Sequence, residues 1–466
     1  MLHVSTRGEA PAIGFTDALL AGLARDGGLY APQSWPQISR TDIAAMAGRS
    51  YAQVARRVLG ALVDGDIPAA DLGAMIDDAY SAFRHPAVCP LTQIADNIFV
   101  LELFHGPTLA FKDVAMQLLG RLMNHALQAR GQRATIIGAT SGDTGSAAIE
   151  AFRGLDQVDV FILYPHGRVS EVQRRQMTGV NAPNVHAIAV EGTFDDCQAI
   201  VKGLFNDHRF RDELGLSGVN SINWARIAAQ TVYYFTSAVA LGAPHRPIAF
   251  SVPTGNFGDI LAGDIARRMG LPVANLAIAT NANDILARTL ASGRYEKRGV
   301  AATSSPSMDI EISSNFERLL FESCGRDAAA IRGMMASLGQ SGSFEIEPVS
   351  LAAIRAGFSA HTAGEDATLA EIARVYRECD YIIDPHTAVA VAGARAEISQ
   401  DPATPVIALA TAHPAKFPDA VEKATGKRPP LPAHLADLFD RKERFTVMAN
   451  DQAAVATFIR ANASKG

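Results

Sequence analysis

Between residues 112 and 131 the apolar positions fall at Ala115, Leu118, Leu119, Leu122, Met123 and Ala126. That is the spacing of a helix with one buried face, and Gly131 stands where it would stop. Upstream, the stretch FTDALLAGLARDGGL from Phe15 to Leu29 has helical spacing and ends at Gly27-Gly28, after which Tyr30-Ala31-Pro32 predicts extended backbone. Helical patterns continue over Ile43 to Leu62 and Asp71 to Phe83, so residues 1–90 predict a mostly helical unit. The closely spaced prolines of His85-Pro86-Ala87-Val88-Cys89-Pro90 interrupt both helix and sheet and predict a joint. Beyond it, short apolar strands alternate with helices. Arg133 to Thr140 predicts a strand, Asp143 to Phe152 a helix stopped by Gly154, and Val158 to Tyr164 a second strand. The same grammar returns at Pro247 to Val252, Gly258 to Met269 and Val273 to Ala279, and again at Pro405 to Ala410. Apolar strands bounded by helices predict parallel sheets covered on both faces, an α/β chain of two doubly wound lobes. The expected division is a helical domain over 1–90, a first lobe over 91–215 and a second over 216–466.

Composition narrows the class. Hydrophobic residues are 48% and charged residues 19% of 466, the balance of a well-buried globular chain. A net charge of −6 gives no ground for attraction to nucleic acid or membrane, so the expected partner is a small molecule. Cys89, Cys197, Cys324 and Cys379 are widely separated, without metal-ligand or redox spacing, and are expected to be buried reduced thiols; no metal site is expected. The first 14 residues lack a basic start followed by an apolar run, and a cytoplasmic protein is expected.

Candidate chemistry gathers at the ends of strands, where doubly wound sheets bind ligands. Lys112, between Phe111 and Asp113, falls in the first turn of its helix, where a cation opposes the helix dipole. A lysine kept from water can lose its proton and become an amine nucleophile, as a Schiff base to pyridoxal phosphate requires; the plain alternative is a surface ion pair with Asp113. The first strand runs into Thr140-Ser141-Gly142-Asp143-Thr144-Gly145-Ser146, an anion-binding helix start richer than ordinary capping needs. A second lies at Thr254-Gly255-Asn256-Phe257-Gly258, where amides could cradle a phosphate. Neither has P-loop or dinucleotide spacing. Thr411 could present a neutral hydroxyl and Lys416 a second cation, although a capped turn explains both. Asn220, Ser221, Asn223 and Arg226 suit a phosphate dianion, and a solvated helix start suits them equally. Ser313 to Arg318 is similar in kind, and His386 reads as a structural histidine.

Together these residues resemble the pyridoxal-phosphate-dependent threonine synthases, in the longer form with an extra N-terminal domain. The resemblance runs through STRG at Ser5, LLAGLARDGGLYAP at Leu19, HGPTLAFKD at His105, GATSGDTGSAA at Gly138, SINWARI at Ser221, PTGNFGD at Pro253, SSNFERLLF at Ser313 and ATAHPAKF at Ala410. It implies the tryptophan synthase beta-like fold of fold type II. It also implies the last step of threonine biosynthesis, conversion of O-phospho-L-homoserine and water to L-threonine and phosphate.

By the same resemblance Lys112 would carry pyridoxal 5'-phosphate and later move protons. Thr254, Gly255, Asn256, Phe257 and Gly258 would hold the cofactor phosphate, and Thr411 would face the pyridine nitrogen. Asp143 would lie near the cofactor, where shorter relatives often have asparagine. Thr140, Ser141, Gly142 and Thr144 would take the substrate carboxylate, and Asn220, Ser221, Asn223 and Arg226 its phosphate. A hydroxyl at the ring nitrogen implies a milder electron sink than an aspartate would. A closing of the two lobes that sheds bulk water is expected. A dehydratase or phospho-lyase of the same fold, a non-catalytic metabolite-binding descendant and a nucleotide-dependent enzyme are the alternatives. Monomer and homodimer both fit.

Overall fold

A computed structural model describes residues 1–464. Residues 1–90, expected to be mostly helical, hold helices at Phe15–Ala21, Arg40–Ala44, Tyr51–Val63 and Ala69–Ser81, which cover fewer than half of them. The first helix covers only Phe15–Ala21, because Gly22 at φ 65° turns the chain out of it. The following turn is organised by Asp26, whose Oδ1 accepts from the Ser5 hydroxyl at 2.8 Å and the Gly28 amide at 2.9 Å. Its Oδ2 accepts from the Glu9 and Ala10 amides, both at 2.9 Å. The segment expected as one helix from Ile43 to Leu62 is two, Arg40–Ala44 and Tyr51–Val63. Gly48 at φ 72° breaks it, and Ser50 with Gln53 restarts it in a reciprocal capping box. Tyr30–Pro32 is a strand paired antiparallel with His3–Ser5.

Two larger sheets carry the rest. One has the order Phe358–Thr362, Val273–Thr280, Ile248–Pro253, Val406–Ala410, Ile98–Glu102, Leu91–Ala95, parallel except for the last strand. The other is wholly parallel, in the order Thr446–Ala449, Val185–Glu191, Val158–Pro165, Ala134–Ala139, Leu216–Ser217. The sheets are not consecutive along the chain. Strands 91–95 and 98–102 join those of the second half, and 446–449 returns to the smaller sheet, so a single boundary at 215 is crossed in both directions. Strand pairing, which is non-local, decides this against the order of the sequence.

The helix Trp224–Ala240 is buried on almost every face and packs against Tyr51–Val63, Lys112–Arg130 and Gly258–Arg268. Through it the N-terminal helices share one apolar core with both lobes, Phe15, Leu59, Leu62, Leu119, Trp224 and Phe250 among its members. The four cysteines are unpaired, but only Cys89 and Cys197 are buried; Cys324 is half-buried and Cys379 exposed, because a terminal helix residue faces solvent there. No helix among the described residues is long and apolar enough to cross a membrane, and no group of three acidic, histidine or cysteine side chains is placed to hold a metal ion.

Candidate active site

The helix Lys112–Arg130 begins on Lys112 itself and ends at Gly131 in the left-handed conformation. The loop leading into it is laced to the end of the strand Val406–Ala410. The Leu103 amide donates to the Ala410 carbonyl at 3.0 Å, that of Phe111 to Thr411 at 2.8 Å, and that of His413 to Leu109 at 3.0 Å. Asp113 is a structural anchor, its carboxylate accepting the Thr108 amide and hydroxyl, each at 2.7 Å. Gly106 is required for this, since a Cβ there would lie 2.5 Å from Asp113 Oδ2. Asp113 thus binds its own loop and leaves Lys112 to other partners, contrary to the surface ion pair.

Those partners lie across the cleft. Asp143 opens the helix Asp143–Phe152 after the strand Ala134–Ala139. Its Oδ2 faces Lys112 Nζ at 3.4 Å and accepts the Ser307 hydroxyl at 3.1 Å. Its Oδ1 accepts Lys416 Nζ at 2.8 Å and Gln173 Nε2 at 3.0 Å. Gly142, at φ 143°, is obligatory, because a Cβ would come within 2.3 Å of the Gln173 side chain. The Thr140 hydroxyl oxygen accepts the Gly142 and Gly145 amides at 2.9 and 3.0 Å and so holds the turn. Ser141 is exposed and Thr144 half-buried at the mouth of the same turn.

The second expected phosphate loop also opens a helix. The Thr254 amide still pairs with Ala279 O at 2.8 Å, continuing the strand Ile248–Pro253. Phe257, at φ 63°, starts the helix Gly258–Arg268, its ring buried against Phe316 and Phe358. The SSN segment clamps the turn from outside. Ser313 Oγ donates to Gly255 O at 2.6 Å, Ser314 Oγ to Asn256 Oδ1 at 3.3 Å, and the Asn315 amide to Asn256 O at 3.1 Å. Asn315 Nδ2 also donates to Ser221 O at 3.1 Å, tying the loop to the start of the helix Trp224–Ala240.

At that helix start the four expected residues separate. Asn220 is exposed and Ser221 half-buried. Asn223 is buried as the helix cap, Oδ1 accepting the Ala225 amide at 3.0 Å and Nδ2 donating to Leu19 O at 2.9 Å, so both its polar atoms are turned to the protein. Arg226 is 3% exposed; it donates to Val219 O at 2.8 Å, and among the described residues its Nε has no partner and no carboxylate pairs with it. Arg318, from the SSN segment, donates to Tyr30 O at 2.9 Å and Ile222 O at 2.7 Å, so the N-terminal unit braces this corner. Thr411 is buried beside the start of the lysine helix.

Sequence reasoning missed Gln173 and Ser307 and undervalued His386. His386 Nδ1 pairs with Asp384 Oδ2 at 2.6 Å, so its Nε2 is the acceptor that takes the Ser307 amide at 3.2 Å. Residue 307 is thereby fixed against both Asp143 and Gly255, where a Cβ would lie 2.9 Å from Ser307 O. The Asp-Pro-His-Thr cap around residue 384 was the available signal; nothing local marks Ser307.

Electrostatically the centre is cationic. Burial pushes the Lys112 ammonium below its ordinary value; Asp143 opposes this, while Lys416 and Arg226 add to it. Burial alone would raise Asp143, but Lys416 and Lys112 outweigh it and hold the carboxyl well below the usual range. Burial pushes Asp113 and Asp259 up to about 6 and the Arg226 guanidinium down to about 10. These residues fit a cofactor that is both aldehyde and phosphate: a desolvated amine and a loop that only glycine can make at residue 255.

An amine base kept from water beside such a loop, on two doubly wound sheets, is the arrangement of the pyridoxal-phosphate-dependent enzymes, and the sequence profile of that class matches residues 87–365. Threonine deaminase isoform 2 from Solanum lycopersicum shares the fold alone, with a TM-score of 0.52 at 16% identity over 77% of this chain and 93% of that one. Within the class, residues 2–80 match the threonine synthase N terminus and residues 387–459 the threonine synthase C-terminal profile. The chain is 53% identical to threonine synthase of Pseudomonas aeruginosa, over 100% of this chain and 99% of the relative. It superposes on the crystal structure of PLP-bound threonine synthase from Brucella melitensis with a TM-score of 0.98 at 62% identity, covering 99% of both chains. On the yeast threonine synthase the TM-score is 0.94 at 40% identity, covering 99% and 98%. The chain belongs to the threonine synthase family. Its cofactor is pyridoxal phosphate and its product threonine.

Proposed function

We propose that the chain acts on O-phospho-L-homoserine, converting it with water to L-threonine and phosphate, and that Lys112 carries the cofactor and moves the protons. The observation that carries this reading is the pairing of a desolvated Lys112 with a buried Arg226 that has no carboxylate partner, one suited to the cofactor aldehyde and the other to a second phosphate. Bound at Lys112, pyridoxal phosphate supplies an electron sink for the charge left at the substrate Cα.

The protein's own groups do the rest. The turn from Thr254 to Gly258, with Gly255, Asn256 and Phe257, holds the cofactor phosphate at a helix start. Thr411 offers the ring nitrogen a neutral hydroxyl, and Asp143 lies beside Lys112 as its counter-charge. The amides of Ser141 and Thr144 take the substrate carboxylate, while Thr140 braces the turn by accepting the Gly142 amide. Arg226 takes the substrate phosphate with Asn220 and Ser221 at the rim; Asn223 contributes by capping the helix that presents Arg226. As a free amine Lys112 Nζ would take the Cα proton, give it up again, and only then take a Cβ proton. The Cγ–O bond to phosphate breaks, protons return to Cγ and Cα, the hydroxyl of water adds at Cβ, and the remaining proton of water leaves with the phosphate.

For the domains we propose the N-terminal unit over 1–90 and two lobes named by their sheets, with 446–449 assigned to the smaller one and 91–102 to the larger. A cytoplasmic location and a small-molecule partner complete the reading. The test is to incubate the purified holoenzyme with O-phospho-L-homoserine and measure threonine, phosphate, ammonia and keto acid. Threonine and phosphate in equal amounts are expected; ammonia with a keto acid would replace the reading by a phospho-lyase. Lys112→Ala is expected to abolish the visible absorption of the bound cofactor.

A further inference from the structure

Asp143 sits between two lysines, and the nearer is not the one assigned to the cofactor. Lys416 Nζ lies 2.8 Å from Oδ1, whereas Lys112 Nζ lies 3.4 Å from Oδ2. Lys416 is 0% exposed, and its other acceptor is the Thr108 carbonyl at 2.8 Å. Thr108 is itself tied to Asp113 on the lysine helix. A short turn, Pro414–Lys416, therefore drives an ammonium into the interior toward the same carboxylate that faces Lys112.

A buried charge is retained only where its partners repay desolvation, and a simple structural pair would have one cation per carboxylate. Here one carboxylate is shared. Alone, Asp143 would hold a proton on Lys112 Nζ and spoil it as a base. A second cation on Asp143 weakens that hold twice, by occupying Oδ1 and by its own repulsion of a charged Lys112.

We propose that Lys416 is a positioning and tuning residue for Lys112, occupying Asp143 so that the lysine released during the reaction is a free amine and not an ion-paired ammonium. The proposal rests on Lys112 being the cofactor lysine. The charged and titratable groups facing this centre are Asp143 on the helix Asp143–Phe152, Lys416 on its turn, Arg226 on the helix Trp224–Ala240, Asp259 on the helix Gly258–Arg268, and Asp113 on the lysine helix. Gln173 and Ser307 complete the uncharged shell of Asp143.

The test compares holoenzymes carrying Lys416→Met, Lys416→Arg, Asp143→Asn, and Lys416→Met with Asp143→Asn, reading the pH profile of kcat and the pH dependence of the cofactor's visible absorption. In Lys416→Met the acidic limb of kcat is expected to move up by about one pH unit or more, because Asp143 then serves Lys112 alone. In Asp143→Asn it is expected to move down, and in the double variant to return toward wild type; Lys416→Arg, which keeps the charge, leaves it in place. Opposite shifts with mutual cancellation are what a merely structural pair would not give. A limb unmoved in folded Lys416→Met, or a double variant displaced as far as Lys416→Met, overturns the proposal. Should Lys416→Met not fold, Asp143→Asn decides alone, and the absence of a downward shift refutes it. Cofactor absorption surviving in Lys112→Ala would instead overturn the assignment of Lys112.

Discussion

Replacing Arg226 by methionine keeps most of the side-chain volume and removes the charge, which separates two roles for this residue. The guanidinium is buried with no carboxylate, and its fall to about 10 corresponds to about 3 kcal/mol of unfavourable charging in the folded state. That penalty is present at every pH below about 10, so at neutral pH the ligand-free protein carries it in full. Removing the charge relieves it and gives up one hydrogen bond to Val219 O, about 1 kcal/mol. The Arg226→Met holoenzyme is therefore expected to be more stable than wild type by about 2 kcal/mol in denaturant unfolding. Binding moves the other way. A charge-assisted bond to a phosphate contributes about 3 kcal/mol, so kcat/KM for the phosphorylated substrate should fall on the order of a hundredfold. Inorganic phosphate should raise the melting temperature of wild type and not of the variant. Steady-state phosphate release and thermal unfolding of the holoenzyme, with and without phosphate, give both readings. A variant that loses stability while keeping kcat/KM within about threefold of wild type would make Arg226 a structural residue and refute the reasoning.

Two further outcomes follow from packing and from burial. Gly255→Ala places a Cβ 2.9 Å from Ser307 O and 3.3 Å from Met308 Cα, both backbone, so the turn must shift. At about 1–2 kcal/mol of strain the variant should lose cofactor on dialysis about tenfold more readily, and retention equal to wild type would show that the loop does not hold it. Asp259 is raised from the usual carboxylate value to about 6 by burial, with the Tyr233 hydroxyl at 2.5 Å opposing. Its protonated form stabilises the fold fully at pH 4 and below, and that contribution, about 3 kcal/mol, is lost as pH rises through about 6. Asp259→Asn should therefore gain stability relative to wild type by about that amount between pH 4 and pH 7, measured by denaturant unfolding; an unchanged difference would show that the acid is not buried as charged.

The elements that could be read from the chain are those whose causes are local. The lysine helix was legible to its last residue, because Gly131 in the left-handed conformation closes it within the same stretch that predicts it. Asp143–Phe152 was legible from its own periodicity, with Arg153 leaving the helix in extended backbone just before Gly154 at φ 74°. The helix drawn from Ile43 to Leu62 was not, since Gly48 and the Ser50 capping box break it against the apolar periodicity. Asn223 shows the limit at the site: its residue type suits a phosphate ligand and a helix cap equally, and while the cap bond to the Ala225 amide is local, the contact that turns its Nδ2 into the protein is with Leu19, 204 positions away.

By itself the sequence determined which residues can do chemistry and the backbone turns that present them. Lys112 at a helix start, Gly131 closing that helix, and alternating strand and helix are written in neighbouring residues, since helix capping, periodicity and positive φ are short-range. Tertiary structure alone decided what surrounds them. Strand pairing carries 91–102 into one sheet and 446–449 into the other. Residues 112, 143, 173, 307 and 416 meet at one carboxylate because solvent exclusion and Coulomb interaction act through space. No local pattern could have announced that Asp143 would be shared between two lysines.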